Sequence, residues 1–192
     1  DPPMEARSGG ASRMIKVDPK DYRIMVVDDD PTALLMISTI LSEEGYRILE
    51  CADGNIASDM IGNEEFDVIL ADFNMPGMDG ISLLRRAKLL VPSAVRMMLT
   101  GEGDYETAIQ AINMGEVYRF MSKPVDEHQL KLHTMRACER VGLEREVVRL
   151  RKEMKKRDKL LVKLERDNPG ITRVQRRQDG VIVLDDVFID EE

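Results

Sequence analysis

The chain predicts an α/β domain built on an open, doubly wound parallel sheet, and three observations predict it. Short runs rich in Val, Ile and Leu alternate with amphipathic stretches five times within about 100 residues, the pattern of βα units whose sheet is covered on both faces. Most of those runs end directly in polar or acidic residues, where open α/β sheets gather their ligands. The apolar fraction of 43% suffices for a core, yet no run approaches the roughly 20 residues a membrane helix needs.

Each element follows from local signals. Residues 1–20, with Pro2, Pro3, Gly9, Gly10 and Pro19, lack periodicity and read as a disordered leader or an expression-derived remnant. Residues 24–27 are the first strand, ending in Asp28-Asp29-Asp30. Pro31 then opens a helix whose apolar positions Leu34, Leu35, Ile37, Ile40 and Leu41 lead to Gly45. Residues 46–51 are a second strand and 56–61 a short helix. Residues 67–72 form a continuously apolar third strand closed by Asp72, and the Pro76-Gly77 and Asp79-Gly80 pairs force an irregular loop after it. A helix over 81–90 stops at Val91-Pro92, and 95–100 is the fourth strand. Asp104 caps a helix to Met114, Gly115 ends it, and 117–121 is the fifth strand. Right-handed crossovers leave few ways to connect these units, and a flavodoxin-like order of five strands is the natural one. No Gly-x-Gly-x-x-Gly or P-loop follows the first strand, which disfavours nucleotide binding.

After Lys123-Pro124 the texture changes. Residues 126–167 hold no helix breaker except Gly142 and are dominated by charge. Leu143, Val147, Leu150, Met154, Leu161 and Leu164 fall at alternating steps of four and three, with Arg157 in the one missed place. That spacing fits a coiled-coil seam of about three heptads and therefore a homodimer. An amphipathic helix folded back on its own domain stays open as the alternative. Asn168-Pro169-Gly170 ends the helix, and alternating residues 171–174 and 181–184 around Gln178-Asp179-Gly180 signal a hairpin before an acidic tail. The expected division is thus a leader (1–20), a sheet domain (21–125), an extended helix (126–167), and a hairpin with its tail (168–192).

Composition narrows the function. A net charge of −8 speaks against direct nucleic-acid binding, and no basic recognition helix follows the sheet. Thirteen Met fill irregular core gaps, and Cys51 and Cys138, far apart and without metal-type spacing, read as reduced thiols of a cytoplasmic protein. His128 and His133 lie on the charged helix and read as a solvated face. On a parallel sheet, Asp28, Asp29, Asp72, Thr100 and Lys123 all come to one edge. Crowded carboxylates there call for a hard cation with oxygen ligands; Mg²⁺ suits, with Mn²⁺ as a substitute. Lys123 offers a point charge and Thr100 a hydroxyl, so the set has the parts of an aspartate nucleophile for phosphoryl transfer.

Val26-Val27-Asp28-Asp29, Asp72 with Met75-Pro76-Gly77-Met78-Asp79-Gly80, Leu99-Thr100-Gly101 and Phe120-Met121-Ser122-Lys123-Pro124 resemble the motifs of receiver domains in bacterial two-component response regulators. The resemblance covers about residues 22–135 and assigns each matched residue a role. It implies that Asp72 takes a phosphoryl group from a sensor histidine kinase or phosphotransfer protein. Asp28, Asp29 and Asp72 would hold Mg²⁺ with the backbone carbonyl of Asn74, and Thr100 and Lys123 would grip the phosphoryl oxygens. Thr100 and Phe120 would form the switch, Asn74 and Glu102 would tune the lifetime of the acyl phosphate, and the bond before Pro124 would be cis. Such a domain is no enzyme on a separate substrate; it catalyses only its own phosphorylation and dephosphorylation. Its output would pass through the dimeric helix to an unidentified effector, with no membrane involved.

Two rivals remain. The stretch from Gly115 to Phe120 and the helix beyond it are similar to receivers preceding cyclic-di-nucleotide enzymes, so the chain could be a fragment of a larger regulator of that kind. Asp28-x-Asp30-x-Thr32 also matches the nucleophile motif of haloacid-dehalogenase-type phosphatases, with Asp28 attacking and Asp185-Asp186 completing the site. That reading leaves the Asp72 loop unexplained and separates its acidic residues by the long helix.

Overall fold

The computed structural model describes residues 17–101, 104, 106, 109–110, 113, 115–169, 175–176 and 182–183. Five parallel strands form one sheet: β1 (Arg23–Val27), β2 (Arg47–Cys51), β3 (Val68–Asp72), β4 (Val95–Thr100) and β5 (Arg119–Ser122), in the order β2-β1-β3-β4-β5. The flavodoxin-like expectation therefore holds. Helices α1 (Pro31–Glu43), α2 (Gly54–Asn63) and α3 (Gly80–Leu90) are crossover segments, and α4 (Glu127–Asp167) follows the last strand.

Strand alternation divides the core in two. Ile24, Val26, Val68, Leu70, Met97 and Leu99 face Leu34, Ile37 and Leu41 of α1 and Leu130, Ala137, Cys138 and Val141 of α4. Met25, Val27, Ile69, Ala71 and Met98 face Ala57 and Ile61 of α2 and Leu83, Leu84 and Ala87 of α3. Burying each such Leu or Ile contributes about 1.5–3 kcal/mol before entropy is counted. β3 is buried along its whole length, as a continuous apolar run in a central parallel strand requires.

The aspartates that open the helices explain where the loops stop. Asp30 accepts from the Thr32 N–H, Asp53 from those of Asn55 and Ile56, and Asp79 from that of Ser82. Each N-cap satisfies an otherwise orphaned donor and is worth about 1 kcal/mol. α2 starts at Gly54, two residues before its first apolar position, because its signal is the Asp53 cap and not the hydrophobic spacing. β5 begins at Arg119, so Val117 and Tyr118 belong to the connection before it.

The chain divides into two units between Arg145 and Glu146. The first contains the sheet and the opening turns of α4. There Arg145 pairs with Asp67 and lies over the Tyr22 ring at 5.5 Å, while Asp67 also accepts the Arg23 N–H at 2.8 Å. His133 departs from the solvated-face expectation: it is half-buried, its Nδ1 is buried with no hydrogen-bond partner among the described residues, and Nε2 lies 3.4 Å from Arg119 Nη1. It occupies the side of α4 that meets β5; His128 is exposed as expected. The second unit holds the rest of α4 and a two-stranded antiparallel pair, β6 (Gln175–Arg176) and β7 (Ile182–Val183). The expected first hairpin strand, 171–174, lies outside the described residues, as do most of the 104–114 helix and the acidic tail. Among the described residues no helix is long and apolar enough to cross a membrane.

Candidate functional site

Strand geometry alone brings the acidic residues together. β1 and β3 are neighbours and run parallel, so Asp28-Asp29 after β1 and Asp72 at the end of β3 emerge side by side. Carboxylate oxygens from Asp28, Asp29 and Asp72 lie within 4.8 Å of one another. Asp28 is fully buried and Asp72 is 5% exposed, whereas Asp29 is open to solvent. Asp28 Oδ1 accepts the Asp30 N–H at 3.0 Å, which folds the loop back over the carboxylate.

Lys123 arrives from β5 two strands away. Its backbone N–H donates to the Thr100 carbonyl at 2.8 Å, extending the β4–β5 ladder by one step. Its ammonium then sits 2.8 Å from both Asp28 Oδ2 and Asp72 Oδ1. The following Lys123–Pro124 peptide bond is cis. Thr100 is fully buried, and its hydroxyl donates to the Gly101 carbonyl at 3.2 Å.

The loop after Asp72 needs its glycines. A Cβ on Gly80 would sit 2.0 Å from the Asp72 carbonyl oxygen, so only glycine lets α3 start this close to the strand end. The Gly80 N–H donates to the Phe73 carbonyl at 3.0 Å and closes the loop. Gly77 has φ of +79°, a left-handed turn that a side chain would strain.

The charges in this pocket are perturbed by their setting. Burial pushes the Asp72 pKa above the ordinary carboxylate value; Lys123 opposes the rise, and the charges of Asp28 and Asp29 add to it. Burial by itself would lower Lys123, but its contacts with Asp28 and Asp72 outweigh that and raise it. Three carboxylates face one ammonium, and among the described residues the one partner of Asp28 Oδ2 is the ammonium it shares with Asp72. The excess of negative charge and the all-oxygen donor set match a hard divalent cation.

The other singled-out residues fall as follows. Asn74 is on the rim, where its side-chain amide donates to Asp104 Oδ2 at 2.7 Å. Asp104 was legible only as a helix cap and Asn74 only through the family resemblance; nothing in the spacing paired the two. Phe120 is half-buried against the α2–α3 side of the sheet. Glu102 lies outside the described residues. The stripe of Leu143, Val147, Leu150, Met154, Leu161 and Leu164 is 38–62% exposed. Asp30 and Thr32 are a helix cap and its N–H donor, so the Asp-x-Asp-x-Thr pattern needs no phosphatase to explain it.

A doubly wound sheet with an aspartate cluster and a shared lysine at its carboxyl edge defines a class: α/β domains whose ligand site is an acidic pocket at the strand ends. Residues 24–134 match the response regulator receiver domain family, and the chain belongs to it. It is 36% identical over 134 residues to the nitrogen assimilation regulatory protein NtrX of Azorhizobium caulinodans, covering 68% of this chain and 29% of that protein. It is 28% identical over 109 residues to sporulation initiation phosphotransferase F of Bacillus subtilis, covering 57% of this chain and 87% of that one. Among solved structures, one described as adenylate cyclase from Rhodopirellula baltica superposes with a TM-score of 0.65 at 34% identity, over 68% of this chain and 97% of that one. The signal receiver domain of an HD domain-containing protein from Pseudomonas fluorescens matches with a TM-score of 0.62 at 33% identity, over 70% and 98% of the two chains. The chain spans only about a quarter of the length of the transcriptional regulatory protein GlrR of Escherichia coli, which it matches at 31% identity over 58% of its own residues.

Proposed function

We propose that this chain is a phosphoacceptor switch in which Asp72 takes a phosphoryl group from a phosphohistidine on a sensor kinase or phosphotransfer protein. The observation that carries the reading is the Lys123 ammonium, 2.8 Å from both Asp28 and Asp72 within the three-aspartate cluster. Lys123 holds Asp72 Oδ1, which leaves Oδ2 to attack phosphorus. The P–N bond to the donor imidazole breaks as the P–O bond to Asp72 forms, and the imidazole leaves with its ring proton. Asp28, Asp29, Asp72 and the Asn74 carbonyl would hold Mg²⁺, which when bound neutralises charge on the phosphoryl oxygens. Lys123 and the Thr100 hydroxyl grip the same oxygens. For Thr100 this means giving up its bond to the Gly101 carbonyl, a local exchange of partners that draws on β4 beside Phe120. Asn74, at the rim, and Glu102 govern how readily water reaches the acyl phosphate. The signal leaves through Phe120 and a paired α4 to a cytoplasmic effector.

Incubation with acetyl phosphate and Mg²⁺, read as a mobility shift on a phosphate-binding gel, tests this. The shift is expected in the wild type and should vanish with EDTA; a shift that survives both EDTA and Asp72→Asn would sink the reading. A second reading, that the same switch drives an attached output domain, is favoured by the likeness to a structure described as an adenylate cyclase and to the signal receiver domain of an HD domain-containing protein. An open reading frame running past Glu192 in the gene would favour it, and a stop codon there would count against it.

A further inference from the structure

Within the second unit, α4 carries an unpaired seam with a single charged interruption. Val147, Met154 and Leu161 occupy heptad position a; Leu150, Arg157 and Leu164 occupy d. All five apolar members are exposed, while Lys152, Lys156, Lys159 and Lys163 line the opposite side. The flanks are Glu146, Glu153 and Leu160 at g, and Arg151, Asp158 and Glu165 at e. Arg149 already holds Glu146 and Glu153 along its own helix. Among the described residues, Arg151, Arg157 and Asp158 make no ion pair.

We propose that residues 146–167 pair with the same segment of a second copy, parallel and in register, and that Arg157 is the residue that sets this register. The proposal rests on the relay reading above and gives its dimer a geometry. In a parallel pair each g residue faces the following e residue of the other helix. Glu146 then meets Arg151 of the second copy, opposite charges that occur twice by symmetry. Glu153 meets Asp158, a repulsive contact, but Arg157 sits in the core layer beside them. Its guanidinium can bond both carboxylates in a fork that a lysine could not match. The one charged seam residue thus falls at the level where the parallel register would otherwise fail. β-Branched Val147 at a above Leu150 at d also favours a parallel two-stranded pair.

The antiparallel alignment that best matches the stripe is poorer. It opposes Val147 with Leu164, Leu150 with Leu161, and Met154 with Arg157. Its flanks balance as the parallel ones do, Arg151 beside Asp158 and Glu146 beside Asp167 of the other copy, but the guanidinium faces a thioether. A polar group in a hydrophobic seam costs affinity and selects the arrangement that satisfies it.

Variants of the whole chain that each add one cysteine, oxidised mildly and run on non-reducing gels, test the geometry; the native Cys51 and Cys138 are buried. Leu150→Cys and Leu164→Cys should each link to their own counterparts. In the antiparallel alignment Leu150 is about 16 Å along the axis from its counterpart, so only mixtures of Leu150→Cys with Leu161→Cys would link. Arg157→Leu should keep the dimer but add those mixed links, and Arg157→Glu should weaken the dimer at least tenfold by sedimentation. Mixed links in place of symmetric ones, a monomer at every concentration with and without beryllofluoride, or no effect of either Arg157 substitution would overturn the proposal. Phosphoryl labelling of Asp72 on the same samples is an independent readout. Label without pairing defeats the pairing alone, and pairing without label defeats the phosphoacceptor reading alone.

Discussion

Asp72 sits under two opposed demands. As the proposed nucleophile it must be ionised, yet burial raises its pKa above the ordinary value of 3.8. A carboxyl whose pKa is raised in the folded state contributes stability below its unfolded pKa and loses it as pH climbs through the folded value. At neutral pH, without metal, an ionised Asp72 therefore destabilises the fold. Asp72→Asn is expected to melt at a higher temperature than wild type at pH 7 in EDTA. The gap should shrink as pH falls towards 4, measured by thermal scans across that range; a lower melting temperature for the variant at pH 7 would contradict this. Lys123 works in the other direction: its raised pKa keeps it charged, and its contribution is lost only at alkaline pH. Asp28, Asp29, Asp72, Thr100 and Lys123 were legible in sequence because strand ends on a parallel sheet share an edge. The Asn74–Asp104 bond and the burial of His133 were not, because both depend on how a loop and a helix lie against their neighbours, which no spacing encodes.

Elements explain why the pocket holds its shape. α3 begins against the end of β3 because Gly80 has no Cβ to strike the Asp72 carbonyl. Gly80→Ala should cost about 1–3 kcal/mol, as overpacking does, and should impair phosphorylation although no catalytic group is removed. A denaturant titration gives the first value and acetyl phosphate labelling the second. On the opposite face, α4 docks through Leu130, Ala137, Cys138 and Val141. Burial pushes the Cys138 thiol up to about 12, so it stays protonated and inert at ordinary pH. Iodoacetamide at pH 8 should modify Cys138 in denaturant but not in the native protein; equal rates by mass spectrometry would mean that α4 is not held there. The five strands were legible because each is a short apolar run between turn residues. The reach of the sheet unit to Arg145 was less so, since α4 is helical on both sides of that point and only burial distinguishes its parts.

Across the whole molecule, charge is divided unevenly along the chain. Residues 146–167 carry nine Lys or Arg against five Asp or Glu in a chain of net charge −8, so the helix and the sheet unit have opposite signs. The aspartate cluster should make stability depend on divalent cation. Mg²⁺ at about 100 times its Kd stabilises a native-state-specific site by about 2.7 kcal/mol. The melting temperature should rise with Mg²⁺ in the wild type and far less in Asp28→Asn, and an equal rise in both would remove Asp28 from the site. The proposed switch turns on which carboxylate receives phosphorus. Borohydride reduction of the acetyl phosphate-treated protein converts a phosphorylated aspartate to homoserine, which peptide mass spectrometry locates. Homoserine at position 72 is the predicted result; homoserine at position 28, with 72 unmodified, would contradict it.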